Sequence, residues 1–317
     1  MEIKDNKVAI LRCPTYERDS LKMAVDGICR AIDFQITPGC GVLLKPNLVT
    51  ARSPDGLACT NPCFVAAVAE WFLDHGARVS VGDSPAFGSS KKVMKACGHE
   101  NALKKLPVNL VDLSLPERVD LPCGDSIGIS RTALESDLLI NLPRIKAHSQ
   151  LLVTMAVKNY FGTVVGGRKA WLHLKYGDET DRFGQVLVDL LAVLPEGITL
   201  VDAVTAVHGE SHITGKSYHL GLAAGSRNPV AIDTSFLSIL GIDADQSLLW
   251  KECSKQGLLG SRVQDIIYPL LSPEEVKVDD FQVRSQLNPI SFRPKRLIIG
   301  GLKRLAARIL PGINRKL

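Results

Sequence analysis

The residues with the most chemical capacity crowd into one stretch, 137–173, which reads DLLINLPRIKAHSQLLVTMAVKNYFGTVVGGRKAWLH. Within it Asn141, Arg144, Lys146, His148, Thr154, Lys158, Asn159, Lys169 and His173 are set in an apolar framework. A cation surrounded by leucine, valine and methionine is costly unless acceptors or an opposite charge meet it. The stretch therefore reads as the wall of a site for something anionic. Arg144, Lys146 and Lys158 would hold negative charge, with Thr154, Asn159 and Lys169 beside them. His148, Lys158 and His173 are the candidates for moving protons. The two histidines are 25 residues apart, too far for a local metal motif. Taken singly, each is more often a hydrogen-bonded structural histidine than a ligand.

More candidates lie where apolar runs end. Lys45-Pro46-Asn47 follows the run 41–44, Asp83-Ser84-Pro85 follows 78–81, and Asp202 follows 198–201. Lys45 leaves a buried strand and needs a partner such as Asp83 or a ligand anion. Asp83-Ser84 can ligate a cation or cap the next segment. Asp83, Asp202 and Asp233 are the acids available to hold a divalent metal or orient the imidazoles, and Asn47 and Ser84 complete the anion-binding set.

The elements that position these residues follow from periodicity. Strands are expected at 7–12, 41–44, 78–81, 108–113, 138–140, 198–201 and 220–225, and helices at 20–33, 61–75, 89–97, 181–194 and 229–240. Leu151 to Val157 suggests another helix, with Thr154 and Lys158 four apart on one face. Residues 121–130 suggest a hairpin or edge strand, 263–271 a helix, and 276–283 a strand. Strands alternating with helices predict an α/β, Rossmann-like, mostly parallel sheet with helices on both faces. Ligands bind beyond the carboxyl ends of such strands, so those three exits and a fourth after 138–140, carrying Asn141, Arg144 and Lys146, are expected on one rim. The expected organisation is an α/β domain over 1–245, an extension packed on it over 246–290, and a tail over 291–317.

In that tail Ile298, Leu302, Leu305 and Ile309 form an apolar stripe opposite Arg296, Lys303, Arg304 and Arg308. It predicts a basic amphipathic helix, lying either on an anionic membrane surface or against the domain. The 317 residues carry a net charge of +5, yet 293–316 alone supplies eight Lys/Arg and no acid. The body is then near neutral, which argues against a nucleic-acid surface. No leader is expected at Met1 to Asp5, and no apolar run reaches the ~20 residues of a spanning helix. The eight cysteines read as reduced thiols, and the expected location is cytoplasmic, with peripheral contact at the inner face of a membrane through the tail. Cys59-Thr60-Asn61-Pro62-Cys63 lacks a second cysteine pair and reads as structural, while His208, Glu210, His212 and His219 read as a metal-capable loop or a polar lid. Neither a glycine-rich dinucleotide motif nor a Gly-x-Ser-x-Gly elbow is present.

LLKPNLV at 43–49, GDSP at 82–85, LPRIKAHSQLLVTMAVKNYFG at 142–162, Lys169, His173 and NPVAIDT at 228–234 together resemble the domain-of-unknown-function family 362, DUF362. The resemblance implies an α/β domain of a kind often found with ferredoxin-type iron–sulfur segments. This chain has no Cys-x-x-Cys-x-x-Cys cluster, so a built-in iron–sulfur centre is not expected. Gly166-Gly167-Arg168-Lys169 with His173 is also similar to a stretch of nickel-dependent lactate racemases, an analogy that points to racemase or epimerase chemistry. The expected function is an enzyme acting on a small or lipid-linked anionic substrate by redox or isomerisation chemistry. The alternative is a non-catalytic anion- or cofactor-binding protein recruited to a membrane or a redox partner. The cofactor is left undetermined, a divalent metal being one option.

Overall fold

The computed structural model describes residues 5–51, 57–85, 88–166, 168–176, 180–209, 215–284 and 287, with the side chains of 170, 173, 174 and 180 outside that description. The expectations for Glu210, His212 and the tail 291–317 lie outside the described residues.

The chain opens with Ala9–Arg12 (β1), Arg18–Ala31 (α1), Gly41–Pro46 (β2), Pro62–Asp74 (α2), Arg78–Asp83 (β3), Ser90–Ala96 (α3), His99–Leu103 (α4) and Asn109–Asp112 (β4). A separate antiparallel hairpin follows, Pro116–Asp120 (β5) with Ser126–Ser130 (β6), then Arg131–Leu134 (α5) and Leu138–Leu142 (β7). Next come Arg144–His148 (β8), Leu152–Thr154 (β9), Ala156–Asn159 (α6), a 3-10 turn Tyr160–Thr163, Arg168–Tyr176 (α7) and Thr180–Val193 (α8). Thr199–His208 (β10), Lys216–Ser226 (β11), Pro229–Ile239 (α9) and Leu248–Lys255 (α10) complete the regular elements.

The main sheet runs β1-β11-β10-β7-β2-β3-β4. From β10 through β7, β2 and β3 to β4 every pairing is parallel, whereas β11 is antiparallel to both β10 and β1. Burial along β2 and β7 is nearly continuous, as expected for strands covered on both faces. Alternation assigns the faces. Val42 and Leu44 join an apolar cluster with Val65 and Phe72 of α2, while Leu43 joins a second with Leu187 and Leu190 of α8. Around β10 and β11 a third cluster gathers Ile232, Phe236 and Ile239 of α9. Two helix starts have clear causes: Asn61 caps α2 with Pro62 at its first position, and Asn228 caps α9 with Pro229 there.

Several expectations are corrected. No helix spans 151–157: β9 pairs antiparallel with β8, Lys146 opposite Thr154, and α6 begins only at Ala156. The β-branched Val153 and Thr154 suit a strand, so Thr154 and Lys158 do not share a helix face. Asp202 is not at a strand exit either, being the fourth residue of a ten-residue strand. The sheet accommodates this because Pro143 separates β7 from β8, and β10 pairs first with β7 and then with β8, placing Arg144 opposite Asp202. Residues 263–271 form one 3-10 turn, Val263–Asp265, and an isolated bridge from Ile267 to Lys7. Over 276–283 the end of a second 3-10 turn, Pro273–Val276, gives way to irregular chain. Among the described residues no helix is long and apolar enough to cross a membrane.

Candidate functional site

Lys45 and Asn141 are register partners on β2 and β7 and share the face of Leu43 and Leu139. The Lys45 ammonium is wholly enclosed and meets Asp83 Oδ1 at 2.9 Å, donating also to the Pro46 carbonyl at 3.1 Å. Asp83 uses its other oxygen to accept from Leu48 N at 2.8 Å. Gly162 lies directly against this pair, and a Cβ there would overlap both charged groups. The glycine is needed for close approach of protein to protein at this point.

Three more lysines surround that pair. Lys146 donates to Asn47 Oδ1 and, at 2.8 Å, to the Ala58 carbonyl. Lys169 donates to the carbonyls of Ser84 and Gly162, while Ser84 Oγ accepts from Gly166 N. Lys158 places its ammonium 4.2 Å from the centre of the Phe161 ring. None of these three has a carboxylate within ion-pair distance among the described residues. Burial lowers the pKa of Lys146 to about 7. For Lys158, burial and then the charges of Lys169, Lys146 and Lys45 lower it to about 7. Burial brings Lys169 down to about 8, with Lys45 adding to the effect. Lys45 is also lowered by burial, against the pull of Asp83. Four lysines thus face one carboxylate, Asp83, together with the nearby Cys59 sulfur, which pulls Lys146 back towards its charged form.

Neutral amides link the lysines. Asn47 Nδ2 donates to Asn159 Oδ1 at 2.8 Å, Asn159 Nδ2 to Asn141 Oδ1 at 2.8 Å, and Asn141 Nδ2 to the Ala156 carbonyl at 3.0 Å. Beside them Arg144 donates to the carbonyls of Thr205 and Cys59 and to the Tyr16 oxygen. Tyr16 donates to Asp202 Oδ1 at 2.7 Å, and Asp202 Oδ2 accepts from Asn61 N and lies 3.8 Å from Arg144 Nε.

The expected residues thus separate into groups. Lys45, Asn47, Asp83, Ser84, Lys146, Asn159 and Lys169 are joined by the contacts above, and Lys158 is electrostatically coupled to them. Arg144 and Asp202 form a neighbouring cluster with Tyr16. Thr154 is tied to β8 through the Lys146 carbonyl. His148 Nδ1 accepts from Gln150 N and Leu151 N, bracing the turn between β8 and β9. The side chain of His173 lies outside the described residues. The three acids expected around a cation stand apart: Asp83 serves Lys45, Asp202 serves Tyr16 and Arg144, and Asp233 accepts from Ala156 N and Val157 N at the start of α6. Burial raises Asp233 to about 7. Among the described residues no three His, Cys, Asp or Glu side chains are grouped to hold a metal ion. His208 ends β10 and His219 lies in β11, so they sit on paired strands and not in one loop. A cleft of about 630 Å³ lined by Gly41, Arg78, Asn109 and Asp137 opens at the opposite, amino ends of the strands and takes none of these residues.

Sequence reasoning missed Tyr16, Cys59 and Thr60 as parts of this region. Tyr16 reaches Asp202 across 186 residues, and no local pattern signals that.

The family model described as "Domain of unknown function (DUF362)" matches residues 42–238, the span that carries every lysine of the cluster. The chain belongs to the DUF362 family. Another protein similar to this DUF362 chain is the "Thylakoid-associated protein sll1697" of Synechocystis sp., 32% identical over 307 residues, which cover 96% of this chain and 95% of that protein. A solved structure, the lactate racemase apoprotein from Thermoanaerobacterium thermosaccharolyticum, is 12% identical with a TM-score of 0.45. That overlap covers 75% of this chain and 59% of the racemase chain.

Proposed function

We propose that this DUF362 protein is an enzyme that binds a small or lipid-linked anionic substrate at the lysine cluster and moves a proton on it, in an isomerisation or redox reaction. The observation that carries this is the charge imbalance: Lys146, Lys158 and Lys169 crowd around one Lys45–Asp83 pair with no carboxylate of their own among the described residues. A phosphate or carboxylate from a ligand would supply the missing negative charge. Amines brought to about 7 take and return protons near neutral pH, the property a general acid–base group needs. Lys158 is the preferred proton-transfer group, because its ammonium rests on a ring face and, among the described residues, donates to no backbone carbonyl. The test is to incubate the protein with a mixture of anionic metabolites in heavy water and follow mass gain. Wild type should place deuterium on one component, and Lys158→Met should not while keeping its melting temperature. No exchange into any component refutes the proton-transfer reading.

A second reading concerns location. The relative is named as thylakoid-associated, and residues 293–316 of this chain carry eight cations and no acid. Both support peripheral binding to an anionic membrane, which would bring the site to a lipid-linked substrate. Flotation with anionic vesicles, with and without residues 291–317, tests it. Equal flotation of the two forms would sink it.

A further inference from the structure

Cys59 and Cys97 are 38 positions apart in sequence, yet their sulfurs lie 3.6 Å apart, with the Cys97 S–H donating to Cys59. Cys59 is wholly buried and accepts from Val49 N at 3.4 Å. Cys97 is half-buried, caps the carboxyl end of α3 and reaches the Thr50 carbonyl at 3.9 Å. Cys63, the near neighbour in the Cys59-Thr60-Asn61-Pro62-Cys63 run, is exposed and takes no part.

We propose that Cys59 and Cys97 are a reversible dithiol–disulfide couple oxidised by peroxide, Cys59 being the attacking sulfur and Cys97 the resolving one. The sulfurs must close by only about 1.5 Å to reach the ~2.05 Å of a disulfide. The environment separates their roles. The Cys97 S–H, the Val49 N–H and the nearby Lys146 ammonium all hold Cys59 towards thiolate, below the ordinary thiol range. Cys97, beside that thiolate, is pushed up and keeps its proton. In the first step the Cys59 sulfur attacks one peroxide oxygen and the O–O bond breaks. The departing hydroxide takes a proton and leaves as water, and Cys59 becomes a sulfenic acid. In the second, the Cys97 sulfur attacks the Cys59 sulfur and the S–O bond breaks. Hydroxide leaves with the Cys97 proton as the second water. A thiol reductant returns two electrons and two protons.

The position gives oxidation a reach beyond the two sulfurs. The Ala58 carbonyl holds Lys146, the Cys59 carbonyl holds Arg144, and Thr60 Oγ1 accepts from Asn47 N and donates to the Leu142 carbonyl. A bond drawn at Cys59 therefore pulls on the segment that braces two cations of the neighbouring clusters.

The test is peptide mapping of the folded full chain after brief hydrogen peroxide treatment, with unreacted thiols alkylated in denaturant. Wild type and Cys63→Ser should each yield one linked peptide pair, containing Cys59 and Cys97, that dithiothreitol removes. Cys97→Ser should stop at a dimedone-reactive Cys59, and Cys59→Ser should give neither product. Peroxide that modifies Cys63 while both Cys59 and Cys97 remain fully alkylatable overturns the proposal. A wild-type linkage of either cysteine to Cys63 overturns it too, and neither result depends on a variant that folds poorly.

Discussion

Replacing Asp83 by Asn keeps an oxygen for Leu48 N but removes the charge facing the Lys45 ammonium, which has no access to solvent. Stripping one partner from a buried pair costs about 3–5 kcal/mol when the other charge stays. The alternative is for Lys45 to release its proton, at ~1.4 kcal/mol for each unit its pKa falls. Either way the loss depends on pH, and its sign can be derived. Burial already holds Lys45 below its ordinary value with Asp83 in place, so the unfolded chain binds that proton more tightly than the folded one. As pH falls below the unfolded value of about 10.4, the unfolded state gains a proton that the folded state resists, and stability declines. Asp83→Asn steepens this slope. Urea unfolding should show about 3–5 kcal/mol lost at pH 7 and much less lost at pH 10, with the m value unchanged. A loss under about 1 kcal/mol at pH 7, or an equal loss at both pH values, refutes the reasoning. Asp120→Asn, in an exposed pair with Arg118, is the control and should change nothing measurable.

Gly162→Ala should destabilise by about 1–3 kcal/mol, since its methyl group has to displace the Lys45–Asp83 pair; an unchanged melting temperature would show that the pair yields freely. Sulfate, whose charge is constant above pH 4, should bind most tightly below pH 7 and weaken as pH rises past the values of about 7 and 8 held by Lys146, Lys158 and Lys169. Calorimetric titration across pH 6 to 9 reads this directly, and a flat profile removes the lysines from anion binding. Asn228→Ala removes the acceptor for Val230 N and Ala231 N and the donor to the Leu259 carbonyl, so about 0.5–2 kcal/mol should be lost in thermal unfolding.

Much of the architecture was readable because β2, β3 and β7 announce themselves by runs of largely buried residues ending at a polar exit. Pro46, Pro85 and Pro143 mark those exits, and Asn-Pro pairs mark the starts of α2 and α9. Lys45, Asp83, Lys146 and Lys169 could be nominated from chain position alone, since a charged side chain set among apolar residues needs an explanation. The hairpin of β8 and β9 was not readable, because a short apolar run fits helix and strand equally well until its pairing partner is known. Leu152 within it takes φ 64°, a conformation no sequence rule assigns to a leucine. The pairing of Cys59 with Cys97 and of Tyr16 with Asp202 depends on how distant segments are packed, which neither spacing nor periodicity encodes.

The amides of Asn47, Asn159 and Asn141 all point the same way. Beginning at the Lys146 ammonium, each one accepts from the group before it and donates to the next, ending on the Ala156 carbonyl of the short helix that carries Lys158. Aligned dipoles of this kind polarise one another, so the row behaves as a single electrical unit. A ligand that draws Lys146 away from Asn47 weakens the first member and, through it, the hold on α6. On the proposed anion-binding reading, this row of uncharged side chains would couple Lys146 to Lys158 in addition to the direct repulsion between their charges.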